Sequence, residues 1–274
     1  MPFYKYRAIL FKPAGEQLYT KQEVLCTVKN LLSIILLLSV LFSSSCYKNP
    51  NLKYNITSIL PRESFVKVEI NIRISKCDEE TGLCASDNAL GHGSGVILED
   101  TRHGAYVLTA AHVCEENEMK EFFEEQGFDF NLRLEVVDIY KEIYDAAIVK
   151  MDENIDACIL LAKDLDPIEK VKLRRHNKPK IGEKVYNVAA PAGIFDYNMT
   201  PILEGRYSGD TLNIIDDTEL SVYTIPAIGG SSGSPVVDRD GYLVGMIHSV
   251  HTRFPQVSFS TTTEKLYNFI FSVL

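Results

Sequence analysis

Gly229-Gly230-Ser231-Ser232-Gly233-Ser234-Pro235 is the segment best suited to covalent chemistry, because it sets serine hydroxyls among glycines between two β-rich runs. Glycine lets the backbone turn sharply and approach a bound carbonyl group with its N–H groups uncovered. Acyl transfer needs such donors for the oxyanion that forms when a serine attacks. A serine hydroxyl is a poor nucleophile at neutral pH, so it needs a base within hydrogen-bond reach and a third group to orient that base. Val107-Leu108-Thr109-Ala110-Ala111-His112-Val113-Cys114 ends a strand-like run in small residues and presents His112 at the turn. Asp145-Ala146-Ala147-Ile148-Val149 starts an apolar run with a carboxylate that could be buried beside a histidine, and Asp138 and Asp152 are its rivals. A glycine-flanked serine is commonly just a loop, and a lone histidine is more often structural. The weight lies in finding all three together, each beside a strand.

The elements that must position these residues are mostly short strands. Ser64 to Ser75 alternates Val66, Val68, Ile70, Ile72 and Ile74 with Lys67, Glu69, Asn71 and Arg73, the period of a half-buried strand. Further β-rich runs fall at 95–98, 105–109, 132–137, 147–151, 184–189, 222–225, 235–238 and 243–249, punctuated by Gly and Pro as in barrels and sandwiches. Glu115 to Gln126 reads as a charged surface helix. Thr261 to Ser272 reads as a terminal helix opened by a Thr261-x-x-Glu264 capping box. The polar stretch from Arg174 to Ile181, which contains Pro179, is the best linker between two halves.

The formal net charge is -9, and because residues 1–46 hold five basic residues against two acids, the remaining chain is the more strongly acidic. An acidic body without a clustered basic face argues against nucleic acid as a partner. Leu31 to Phe42 is uncharged and too short to span a bilayer, which takes roughly 20 residues, but it suits the apolar core of an export signal. Lys29 precedes it and Ser43-Ser44-Ser45-Cys46 follows, an order that resembles a bacterial lipoprotein signal with Cys46 as the lipidated residue. Residues 1–46 are therefore expected to form a signal or membrane anchor and 47–61 a linker. Cys77, Cys84, Cys114 and Cys158 form an even set beyond that segment, as a disulfide framework in an oxidising compartment requires. Cys77 and Cys84 bracket a turn-like Asp-Glu-Glu-Thr-Gly-Leu and are expected to close a hairpin. No cysteine–histidine spacing suits a metal.

The histidine, aspartate and serine segments resemble the motifs of the trypsin and chymotrypsin-like serine proteases. Gly230-Ser231-Ser232-Gly233-Ser234-Pro235 matches the Gly-x-Ser-Gly-(Gly or Ser)-Pro signature, and His112, Asp145, Ser232 follow the family's order. Gly93-Ser94-Gly95-Val96-Ile97 and Gly241-Tyr242-Leu243-Val244-Gly245-Met246-Ile247 extend the likeness. The resemblance implies an all-β fold of two antiparallel β-barrels, 62–173 and 182–274, with a C-terminal helix and the site between them. It implies a serine endopeptidase acting on protein or peptide substrates without metal or cofactor. His112, Asp145 and Ser232 would be the triad, and the N–H groups of Gly230 and Ser232 the oxyanion hole. Asp145 is preferred to its rivals because only it opens a segment like the family's aspartate motif. A Cys114–Cys158 bridge bracing the histidine loop is implied in the same way. Pro226 would stand at the base of the primary pocket, with Ala227, His248, Ser249 and Val250 lining it. No carboxylate there favours cleavage after Lys or Arg, so small or apolar residues are expected. An exported, membrane-tethered monomer fits the whole chain, and the alternative is a catalytically silent peptide-binding module on the same fold.

Overall fold

The computed structural model describes residues 59–78, 81–115, 117–175, 178–213 and 217–274. The expected signal segment, its linker through residue 58 and Cys46 lie outside the described residues. Among the described residues no helix is long and apolar enough to cross a membrane.

Alternation drives the first barrel. In β1 (Phe65–Cys77) the side chains of Val66, Val68, Ile70 and Ile72 are buried while those between them reach solvent. Each such burial contributes about 1.5–3 kcal/mol. β2 (Cys84–Thr101) pairs with β1 in antiparallel register, Val68 opposite Gly93 and Cys77 opposite Cys84. β3 (Gly104–Thr109), β4 (Asp129–Val137), β5 (Ile143–Asp152) and β6 (Ala157–Lys163) complete a closed barrel in the order β1-β2-β3-β6-β5-β4. Closure leaves no unpaired edge. β7 (Lys184–Val188), β8 (Ile202–Leu212), β9 (Glu219–Tyr223), β10 (Ser234–Asp238), β11 (Leu243–Val250) and β12 (Ser258–Thr261) close a second, in the order β10-β11-β12-β9-β8-β7. β6, β8 and β12 were absent from the expected strands.

Among the described residues three α-helices decorate the barrels: α1 (Ala111–Cys114) at the end of β3, α2 (Asn117–Glu125) before β4, and α3 (Thr263–Ile270) after β12. The capping box expected at Thr261 and Glu264 does not form. β12 runs through Thr261, so Thr262 becomes the N-cap without a side-chain cap bond, and Thr263 instead donates its hydroxyl to Val244 O at 2.6 Å. Leu266, Tyr267, Phe269 and Ile270 bury the inner face of α3.

Two disulfides are present among the described residues. Cys77–Cys84 closes the β1–β2 hairpin, and Cys114–Cys158 ties α1 to β6 across a sequence separation of 44. The second closes the larger loop, so its removal should cost more. The paired substitution Cys114→Ala/Cys158→Ala is expected to lower unfolding free energy by about 2–5 kcal/mol, read by guanidinium denaturation. A midpoint unchanged from the parent would contradict a structural role for the bridge.

Candidate active site

His112 sits on α1, directly after the buried Thr109-Ala110-Ala111, with Cys114 fastened to β6. β3 and β6 pair so that Thr109 faces Cys158. Strand pairing and disulfide together bring the start of β6 to the histidine, and the residue delivered there is Asp156. Its Oδ2 lies 2.8 Å from His112 Nδ1, and its Oδ1 accepts from the His112 backbone N–H at 3.0 Å. An ionised carboxylate only accepts, so the proton belongs on Nδ1 and the ring's lone pair on Nε2. Asp156 adopts the left-handed conformation (φ 48°, ψ 51°) at the end of the 3-10 turn Glu153–Ile155, which swings its side chain back toward α1. Burial pushes the Asp156 carboxyl up, but the hydrogen bonds and charge of His112, with His248 beside it, outweigh burial and hold it below the usual carboxylate range.

The expectation of Asp145 at this position is corrected. Asp145 stands on β5 opposite Glu135, its side chain 53% exposed, and accepts from Arg133 Nε at 2.9 Å. Strand alternation turns it to the outer face of the barrel, away from the end where α1 lies.

Ser232 lies in the loop that enters β10, where Gly230 (φ 90°) and Gly233 (φ 87°) take backbone conformations that favour glycine. Every carbonyl of residues 229–232 is engaged. Gly229 O accepts from Ala192 N at 2.7 Å, Gly230 O from Ser94 Oγ at 2.7 Å, Ser231 O from Ser234 N at 3.1 Å and Ser232 O from Ser94 N at 2.7 Å. The N–H groups of Gly230 and Ser232 donate to none of the described residues. Two N–H groups are thereby presented while the loop's carbonyls are held elsewhere. That is the polarity an oxyanion requires.

Two glycines record how closely the serine and histidine segments meet. A Cβ on Gly93 would lie 2.7 Å from a Val113 methyl and 3.1 Å from Ser232 O. One on Gly233 would lie 2.0 Å from Ser94 O, 2.3 Å from Thr109 Oγ1 and 3.0 Å from Ala110 N. At Gly93 and Gly233 the seam has no room for a further side chain, so there the backbone of the loop bearing Ser232 comes close to the segment that launches α1.

The residues expected to line a pocket separate into groups. Ala227 is buried in the apolar cluster of the second barrel, against which Val250 packs, while Pro226 is exposed. His248 is turned away from them. The β11–β12 register slips between Ile247 and Ser249, and the bulge aims His248 at Asp156, Nδ1 to Oδ2 3.6 Å. Burial lowers the His248 pKa, opposed by Asp156 and assisted by His112. Ser249 and His248 line a cavity with Asp156, Glu219 and Lys265.

Asp156 and His92 are not singled out by the sequence, and Ser94 stands in the Gly93-Ser94-Gly95-Val96-Ile97 motif without a role of its own. A signal for Asp156 did exist: it precedes Cys158 by two residues just as His112 precedes Cys114, so the bridge already expected between these cysteines draws it to the imidazole. His92 packs its ring under the glycine loop, 2.7 Å from where a Cβ on Gly230 would stand, and its buried Nε2 has no hydrogen-bond partner among the described residues. Burial, then Lys67, lowers its pKa.

A model of the trypsin-like peptidase domain family matches residues 93–246, more than half of the chain. A probable periplasmic serine endoprotease, DegP-like, from Marinomonas sp. is 32% identical over 174 residues, covering 61% of this chain and 32% of that protein. A serine protease, HtrA-like, from Staphylococcus aureus is 26% identical over 166 residues, 57% of this chain and 20% of that protein. The chain thus spans about a third or less of the length of these relatives. Among solved structures, a serine endoprotease from Yersinia pestis aligns with a TM-score of 0.56 at 19% identity, covering 81% of this chain and 66% of that one. The active form of a protease from M. tuberculosis gives 0.54 at 17%, covering 79% and 82%. At those identities the solved structures establish shared fold alone.

The two carboxylates are separable by proton NMR of the imidazoles. A charge-assisted hydrogen bond should move the His112 Nδ1 proton far downfield. This signal is expected to survive Asp145→Asn and to vanish in Asp156→Asn; the reverse pattern would return the role to Asp145.

Proposed function

Because this chain belongs to the trypsin-like peptidase family, we propose that it is a serine endopeptidase whose triad is Ser232, His112 and Asp156. What carries the reading is the His112–Asp156 pair lying beside a serine loop that presents two N–H groups. Ser232 Oγ attacks the carbonyl carbon of the scissile bond while His112 Nε2 accepts the hydroxyl proton. Negative charge develops on the carbonyl oxygen, where the N–H groups of Gly230 and Ser232 receive it. His112 then returns the proton to the departing amine as the C–N bond breaks, leaving an ester on Ser232. Water attacks that ester by the same route in reverse, its proton going to His112 and then to Ser232 Oγ.

Asp156 stays ionised throughout. It holds the imidazole in the tautomer with the proton on Nδ1 and stabilises the imidazolium that forms when Nε2 is protonated. The depressed pKa of Asp156 fits that task, because the carboxylate remains charged well into mildly acidic solution.

For specificity, Pro226, Ala227 and Val250 supply no carboxylate for a basic side chain, which favours small or apolar residues at the cleaved position. His248, turned to Asp156, is not disposed toward an acidic substrate side chain. For location, the apolar segment 31–42, Cys46 and the two disulfides favour export and tethering at a membrane; the Marinomonas relative is described as periplasmic.

An active-site-directed fluorophosphonate is expected to label the protein, and Ser232→Ala to abolish labelling with an unchanged circular dichroism spectrum. Label persisting in that variant would refute the assignment. Asp156→Asn should lower kcat by about 10⁴ through loss of the productive tautomer, with Asp145→Asn close to the parent. Mass-spectrometric profiling of cleaved peptides should show small or apolar residues before the cut, and a dominant Lys or Arg would overturn the pocket reading.

A further inference from the structure

Ser94 makes four hydrogen bonds at the seam. It lies on β2 of the first barrel and is fully buried, yet its polar groups reach mostly into the second. Its N–H donates to Ser232 O at 2.7 Å, and its hydroxyl donates to Gly230 O at 2.7 Å while accepting from Ala190 N at 3.0 Å. Its own carbonyl accepts from Thr109 Oγ1 at 2.8 Å, which ties the same residue to the segment that launches α1. Donor, acceptor and hydroxyl are all engaged.

The side-chain bond matters most. Gly230 has φ 90° and no Cβ, so rotation of the peptide that follows it meets little intrinsic resistance. That peptide is held at two points: Gly230 O by the Ser94 hydroxyl, and Ser231 N by Ile228 O at 2.9 Å. The Ser94 hydroxyl is the hold that comes from the opposite barrel. It is itself fixed by Ala190 N, so it cannot turn its proton away without losing a bond in a buried place.

We infer that Ser94 is a positioning residue for the oxyanion hole: its hydroxyl, acting across the seam, locks the Gly230–Ser231 peptide so that the Gly230 and Ser232 N–H groups both face the reacting carbonyl. The inference rests on the hydrolase reading above. Ser94 touches no reacting atom, and its effect passes entirely through the backbone it holds. The transition state therefore feels its loss more than the bound substrate does, since the oxyanion exists only in the former.

The test compares the parent with Ser94→Ala and Ser94→Cys, the second keeping nearly the same shape with a poor donor and acceptor. Thermal melting by circular dichroism establishes that each is folded, and the cysteine variant decides should the alanine variant not fold. The readouts are kcat and KM on one peptide substrate and the affinity of a peptide aldehyde, whose adduct with Ser232 places an oxyanion-like oxygen in the hole. The expected result is a fall of at least about tenfold in kcat with a parallel loss of aldehyde affinity, and KM within about threefold of the parent. A folded variant with parental kcat and aldehyde affinity overturns the inference. So does equal weakening of KM and aldehyde affinity at constant kcat, because that pattern marks general damage to the cleft. A parent that neither turns over peptides nor reacts with fluorophosphonate would sink the hydrolase reading, and Ser94's role with it.

Discussion

The contact between His112 Nδ1 and the Asp156 carboxylate constrains the rest of the site. It joins the ends of two strands, β3 through α1 and β6 through its preceding turn, and it works only if both ends arrive at the same rim of the first barrel. Pairing of β3 with β6 brings them to the same height, and the Cys114–Cys158 bridge prevents α1 from lifting off. A hydrogen bond alone would hold a four-residue helix weakly, since so short a helix has little stability of its own. The covalent tie makes the orientation of the imidazole a property of the barrel.

The second barrel contributes almost entirely through backbone. Four carbonyls of the loop 229–232 are taken up by Ala192, Ser94 and Ser234, and the seam is lined by glycines at which a Cβ would collide with its neighbours. This arrangement explains why a glycine-rich segment can be rigid. Freedom intrinsic to the residue is removed by neighbours that hold its carbonyls and fill the space a Cβ would need, and the N–H groups of Gly230 and Ser232 donate to none of the described residues.

Much of the architecture was readable from residues, and the failures have physical causes. β1 shows its alternation because one face is buried and the other wet. β6 is buried almost throughout, so Ala157 to Lys163 carries no alternation to detect. β8 contains Gly205 and Gly209 and a register slip at Tyr207, and β12 is only four residues long. The serine and histidine segments were legible because their neighbours are distinctive small residues. The aspartate was not, since Asp145-Ala146-Ala147-Ile148 and Asp156-Ala157-Cys158-Ile159 are nearly the same string locally. Only a long-range fact, the cysteine pairing, distinguishes them, and hydrophobic pattern does not carry long-range facts.

Asp156 also shows how strain and charge are tolerated together. A non-glycine residue in the left-handed region costs of order 1–3 kcal/mol, and burying a carboxylate adds to that. Asp145, relaxed on a strand and paired with Arg133, bears neither burden and is no use to the histidine. The Asp156 carboxylate recovers its cost through the His112 ring, the His112 backbone N–H and the nearby His248 imidazole, groups gathered from both barrels. Conformational strain at Asp156, the bulge that aims His248 and the bridge at Cys158 are therefore three parts of one solution. Each helps bring the Asp156 carboxylate and a polar partner together.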